Sequence, residues 1–183
     1  MTRRKIKENL RVHFNNTLLT EVFDSMIKTN YKIIDFGEYI AYQFKTNSGN
    51  QYDLEFHYSE ENIYTDLDNN IKLGDILKTN KETIPCFDIA FTLSKIKNKE
   101  NPDEFEIDTN LNEEFELMGR ITFIISEIIN DSKYKLFIIG GDSRRNRLKI
   151  YENMFKNNFI NLFDLYYGKS QFHSGKSLFI IRK

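Results

Sequence analysis

Apolar residues recur along the chain in two rhythms, one helical and one of strict alternation. Leu18, Leu19, Val22, Phe23 and Met26 fall at helical spacing behind the capping side chains of Asn15, Asn16 and Thr17, which predicts a helix over residues 17–29. The rhythm then shortens to strands at 33–36 and 39–45, and Asn47-Ser48-Gly49-Asn50 supplies turn chemistry before a third strand at 51–58. In that third strand Tyr52, Leu54, Phe56 and Tyr58 oppose Asp53, Glu55 and His57, the pattern of an antiparallel hairpin with one face in water. Ile71, Leu73, Ile76 and Leu77 suggest a short helix. Pro85 precedes a further alternating strand at 87–93, with Phe87, Ile89, Phe91 and Leu93 against Asp88, Ala90 and Thr92. Residues 95–110 are polar, contain Asn98, Asn101 and Pro102, and read as a flexible loop.

The second half organises the chain. Phe115, Met118, Thr122, Ile125 and Ile129 share one face of a helix predicted over 113–130, and Phe123, Ile124 and Ile128 make it apolar almost all round, so it belongs inside. Asn110 with Glu113 resembles a capping box at its start. Gly119 within it costs about 1 kcal/mol relative to alanine, a cost that the close approach of a strand backbone would explain. A buried strand at 134–139, a turn at Gly140-Gly141, a basic helix at 144–157 with Leu148, Tyr151, Met154 and Phe155 as its stripe, and a closing strand at 159–167 complete the order. The expected class is α+β, a mixed and mainly antiparallel sheet flanked by helices.

A chain of 183 residues fits one domain; here a basic arm at 1–13 precedes a domain at 14–183. Arg3, Arg4, Lys5, Lys7 and Arg11 stand in the arm against Glu8 alone, which suits a solvated end or a contact to an acidic partner or to phosphates. A formal net charge of −1 gives the chain as a whole no bias toward nucleic acid or membranes, and no apolar run reaches the length a membrane helix needs. The first residues lack the apolar core of a secretory signal, and Cys86 as the only cysteine fits a reducing compartment and an inert core thiol. His13, His57 and His173 are scattered with no ligand spacing between them, so no zinc site is expected. Gly140-Gly141-Asp142-Ser143-Arg144-Arg145 could hold an anion at a helix start or be a plain capped turn. Arg144, Arg145, Arg147 and Lys149 form a second basic patch, open to an acidic surface or simply solvated. Asp53 and Glu55 need no catalytic explanation, because alternation alone accounts for them.

From Phe87 onward the predicted order of strand, helix, strand, helix, strand, strand resembles the GNAT acetyltransferase fold, and Leu148-Lys149-Ile150-Tyr151-Glu152 is similar to that family's fourth helix. The likeness implies N-acyl transfer from acetyl-CoA with Tyr151 as general acid. The family's Q/R-x-x-G-x-G/A loop, which cradles the coenzyme A pyrophosphate, is replaced by FEIDTNLNEEFELMGR, where Glu113, Glu114 and Glu116 would occupy the helix dipole and repel a diphosphate. A closer pattern is DIAFTL, then TNLNEEFELMGRITFIISEII, then LFIIGGDSRRNRLKIY. It resembles GNAT-like proteins of phages and Bacteroidetes that lack the coenzyme loop, including proteins encoded among the structural genes of crAss-like phages. This resemblance implies a non-enzymatic structural or interaction protein without cofactor: a homo-oligomeric virion component, in a ring at the portal or tail as in a head–tail connector, assembled in the host cytoplasm. A cytoplasmic acyltransferase is the alternative. The partner-binding candidates are Arg3, Arg4, Lys5, Lys7, Arg11, Arg144, Arg145 and Arg147, facing acidic segments such as Glu60-Glu61 and Glu113-Glu114 on another subunit. Nucleic acid through Arg3, Arg4, Arg144, Arg145 and Arg147 is a weaker expectation.

Overall fold

A computed structural model describes residues 26–93, 111–131, 133–140 and 147–183. Its strands are β1 (Tyr31–Asp35), β2 (Tyr39–Lys45), β3 (Gln51–Asn62), β4 (Asp66–Leu67), β5 (Ile71–Lys72), β6 (Thr83–Leu93), β7 (Leu136–Gly140), β8 (Phe163–Gly168) and β9 (Ser177–Arg182). Its α-helices are α1 (Leu73–Leu77), α2 (Leu111–Asp131) and α3 (Arg147–Phe159). All nine strands join one sheet in the order β1-β2-β3-β6-β7-β9-β8-β4-β5. Among the described residues only β6 and β7 pair in parallel, and every other pairing is antiparallel. The protein is thus α+β with a mixed, mainly antiparallel sheet.

The hairpin of β2 and β3 forms where the turn residues allow it. Gly49 takes φ of 87°, a conformation open to glycine without steric cost, and its amide donates to the Thr46 carbonyl at 2.9 Å. From β6 the chain crosses through α2 to parallel β7, and from β7 through α3 to β8. Parallel crossovers in this direction share a hand, so both helices cover the same face. There Leu117, Ile121, Ile124, Ile125, Met154, Phe155 and Phe159 pack on Phe44, Tyr52, Leu54, Phe56, Phe137 and Ile180. The opposite face is closed differently. After β3 the chain travels to the far end of the sheet as β4 and β5, then returns through α1 to β6, and Leu67 and Leu73 seal Cys86, Leu136, Ile138, Phe179 and Ile181.

Several boundaries differ from the expectations, each for a local reason. β3 continues past Tyr58 to Asn62 because β6 starts early, at Thr83, and pairs with it along its length. Pro85 therefore lies inside a strand, opposite Glu60, but short of the β7 pairing that begins at Cys86, so its missing N–H breaks no ladder bond on that side. The predicted helix over residues 71–77 begins only at Leu73, since Ile71 and Lys72 pair with β4. α3 runs on to Phe159, and the closing strand starts at Phe163 rather than Phe159. Residues 26–30 are not helical, which shortens the described end of the first predicted helix. This stretch lies against α2, where the Ile27 amide donates to the Gly119 carbonyl at 3.1 Å.

The largest correction concerns β3. Asp53 and Glu55 are buried, not in water, because β3 is an inner strand with cover on both faces. Gln43 Nε2 donates to Asp53 at 3.0 Å, and the His57 ring meets Glu55 at 3.0 Å. Glu61, expected on an acidic outer loop, is fully buried and accepts hydrogen bonds from Ser170 Oγ at 2.6 Å, Thr65 Oγ1 at 3.0 Å and the Asn62 amide at 3.1 Å. A buried carboxylate satisfied by neutral donors is tolerable where an unsatisfied one is not.

Candidate functional site

An open groove of about 440 Å3 lies between the first strands and the C-terminal end of α2, lined by Tyr31, Ile33, Tyr42, Tyr58, Phe87, Glu127, Ile128, Lys133 and Tyr134. Alternation puts Tyr31 and Ile33 of β1, Tyr42 of β2, Tyr58 of β3 and Phe87 of β6 on the helix-bearing face. The rings form one connected array. Tyr31 meets Tyr42 edge-on at 5.5 Å, Tyr42 meets the buried Phe56 at 5.6 Å, and Phe56 meets Phe87 at 5.6 Å. Phe87 then contacts Tyr134 at 4.3 Å and Tyr58 at 5.1 Å. Apart from the closer Phe87–Tyr134 contact, these separations are those of favourable aromatic pairs.

The polar groups of the groove are few. The Tyr31 hydroxyl donates to Glu127 Oε2 at 2.5 Å, tying β1 to α2. Lys133 Nζ stands 5.9 Å from the Tyr134 ring centroid, within cation–π range. Burial pushes the Tyr58 phenol up from its ordinary value, and the negative charge of Asp35 adds to this, so the hydroxyl stays neutral. Beside the groove two apolar side chains are exposed, Ile33 at 58% and Tyr58 at 42%. Among the described residues β1 is the last strand of the sheet on this side. The arrangement suits a ligand with flat or extended apolar parts, and the ring faces with Glu127 favour a positive group.

On the opposite face the fold collects titratable groups that are far apart in sequence. His57 lies directly across from Asp88 in the ladder, and His173, from the segment between β8 and β9, places Nε2 2.8 Å from Asp88 Oδ1. A Cβ at Gly140 would come within 2.3 Å of His173 Nδ1, so the imidazole occupies the space that glycine vacates. Ser177 pairs with Gly140, and its buried hydroxyl has no partner among the described residues. Ser177 is fully buried and makes no hydrogen bond to His173. Among the described residues no group of three His, Cys, Asp or Glu side chains has the geometry to hold a metal ion. Cys86 is buried, and burial first, then the charges of Glu61 and Asp88, push its thiol up to about 12.

Tyr151, the acid expected for acyl transfer, lies half-buried against the main core. Its neighbour Glu152 is the residue with evident electrostatic work. Burial alone would raise its carboxyl, but hydrogen bonds from Lys149 at 2.8 Å, Lys156 at 2.5 Å and the Tyr167 hydroxyl at 2.7 Å hold it down to about 2. Burial and the Glu152 carboxylate raise the Tyr167 phenol in turn. The cluster fastens α3 to β8. Glu116, one of the acids expected to repel a diphosphate, is likewise engaged: it pairs with Arg120 Nε at 2.7 Å and accepts the Asn47 amide at 2.7 Å. Arg120 also donates to Asn47 Oδ1 at 3.2 Å and to Thr29 Oγ1 at 3.4 Å, so the pair clamps α2 to the β2–β3 turn.

Arg3, Arg4, Lys5, Lys7, Arg11, Arg144 and Arg145 lie outside the described residues, as do the arm as a whole and the loop at 95–110, and Arg147 is described only as the first residue of α3. The groove was missed because its rings read individually as core. The signal for the imidazole cluster was Asp88, a lone acid between Phe87 and Ile89. No helix among the described residues is long and apolar enough to cross a membrane. Comparison with family models, curated proteins and solved structures finds no match to this chain.

Proposed function

We propose that this chain is a non-enzymatic interaction subunit that self-associates into an assembly, with the aromatic groove beside β1 as its contact surface. The observation that carries the reading is the coincidence of three features at one place: a strand that ends the sheet among the described residues, a ring-lined groove, and exposed Ile33 and Tyr58 around it. Apolar groups of this size beside an open strand edge favour burial against another chain. The phage-particle resemblance supplies the setting, a ring at the portal or tail, and the order β6-β7-β9-β8 with both crossover helices on one face supports a GNAT-like fold. Sedimentation over a range of concentrations tests the reading. A larger species is expected as concentration rises, and Ile33→Lys is expected to return the protein to monomer without unfolding it. A monomer at every concentration ends the reading.

A second reading is favoured by the same strand order: acyl transfer from acetyl-CoA. It predicts heat on titration with acetyl-CoA at millimolar concentration, and a transfer activity that Tyr151→Phe removes while the heat of binding persists. The half-buried placement of Tyr151 against the core makes it the lesser of the two.

A further inference from the structure

We infer that the occupant of the aromatic groove is the basic arm, residues 1–13, of a neighbouring copy of this chain. The inference rests on the self-association proposed above and adds which segment enters the surface.

The chemistry of the groove selects a cation. Tyr31, Tyr42, Tyr58, Phe87 and Tyr134 present ring systems whose faces carry negative charge density. Glu127 is exposed on the wall; its Oε2 takes the Tyr31 hydroxyl, and its other oxygen has no protein donor among the described residues. Asp35 follows two residues after Ile33 on the same face of β1 and acts electrostatically on Tyr58. Lys133 Nζ stands 5.9 Å from the Tyr134 ring centroid, within cation–π distance of that one ring. Lys133 also opposes a second cation, and this opposition gives the proposal a signed test.

The arm matches that chemistry. Its sequence, MTRRKIKENLRVH, places Arg3, Arg4, Lys5, Lys7 and Arg11 among the apolar Ile6, Leu10 and Val12, against one acid, Glu8. Guanidinium groups stack on aromatic faces and pair with carboxylates, while the interleaved apolar residues suit Ile33 and Ile128 on the walls. A head-to-tail contact of arm into groove leaves a groove free at one end and an arm free at the other, so it propagates into a ring when the geometry closes.

The test uses the full chain in two variants and their mixture. In the first, Arg3, Arg4, Lys5, Lys7 and Arg11 are all changed to Gln; in the second, Glu127→Lys reverses the charge of the wall. Sedimentation is expected to show association of the unaltered protein, monomers for each variant alone, and a mixed dimer when the two are combined, since one supplies a groove and the other an arm. A fluorescent peptide of residues 1–13, titrated onto the arm-neutralised protein, is expected to bind about tenfold more weakly after Glu127→Lys and several-fold more tightly after Lys133→Glu. If the unaltered protein associates but neither variant disturbs it, the arm inference falls and the interaction reading stands. If the variants lose association but do not complement, the arm acts elsewhere and the inference falls. Failure of Lys133→Glu to strengthen peptide binding overturns the cation assignment. A monomeric unaltered protein overturns both.

Discussion

Glu152→Gln should destabilise the protein by an amount that depends on pH in a defined direction. In the native state the Glu152 carboxyl titrates at about 2, against 4.5 for the free side chain, although burial alone would move it the other way. A displacement of that size favours the charged form by about 3 kcal/mol. Lys149 and Lys156 are 62% and 47% exposed, so solvent screens their share, and about 2 kcal/mol is the better expectation. The native pKa lies below the unfolded one, so the stabilisation is present in full above 4.5 and is lost as pH falls from 4.5 toward 2. Glutamine keeps the volume and can still accept the Tyr167 hydroxyl, but it leaves two ammonium groups without their counter-charge. Urea unfolding of both proteins should therefore show a gap of about 2 kcal/mol near neutrality that narrows steadily below about pH 4.5. Equal stabilities at neutral pH, or a gap of constant size down to about pH 3, would refute the reasoning that the charge on Glu152 fastens α3 to β8.

Gly140→Ala should cost about 1–3 kcal/mol, because the new methyl meets the His173 ring, and the cost should shrink in a His173→Ala background measured as a double-mutant cycle. Cys86 should resist thiol reagents in the native protein at about pH 8 and react at once in denaturant; rapid native labelling would contradict its burial and its raised thiol pKa of about 12.

The parts of the fold legible in the sequence are those held by neighbours along the chain. The β2–β3 hairpin shows its alternation and its turn glycine because both strands and turn lie within residues 39–62. The apolar girth of α2 announces a buried helix for the same reason. What stayed hidden depends on pairings between distant segments. Nothing in residues 177–182 says that β9 slips between β7 and β8, or that β4 and β5 leave β3 to join the far side of β8. The groove belongs to this second kind. Its rings sit on four strands and on the connection after α2, each at a position that alternation assigns to the interior. The groove lies where Glu127 and Ile128, near the end of α2, meet the first strands of the sheet. Composition cannot report where a helix stops relative to a strand it packs on.

The buried acids of β3 show how the chain fixes that arrangement. Alternation alone would let β3 slide by two residues against β2 and keep every apolar side chain on its proper face. The slide would part Asp53 from Gln43, which face each other in the ladder and share a hydrogen bond. It would also draw Glu61 away from Ser170 and Thr65, its partners on other segments. Each carboxylate left buried without its donors costs about 1–3 kcal/mol, so the two together oppose the slide. Apolar rhythm selects the face of β3, and the polar pairs select its position along the neighbouring strands. That second selection also sets Tyr58 beside Phe87 and aligns the floor of the groove, so weakening the polar pairs should loosen the groove before it unfolds the sheet.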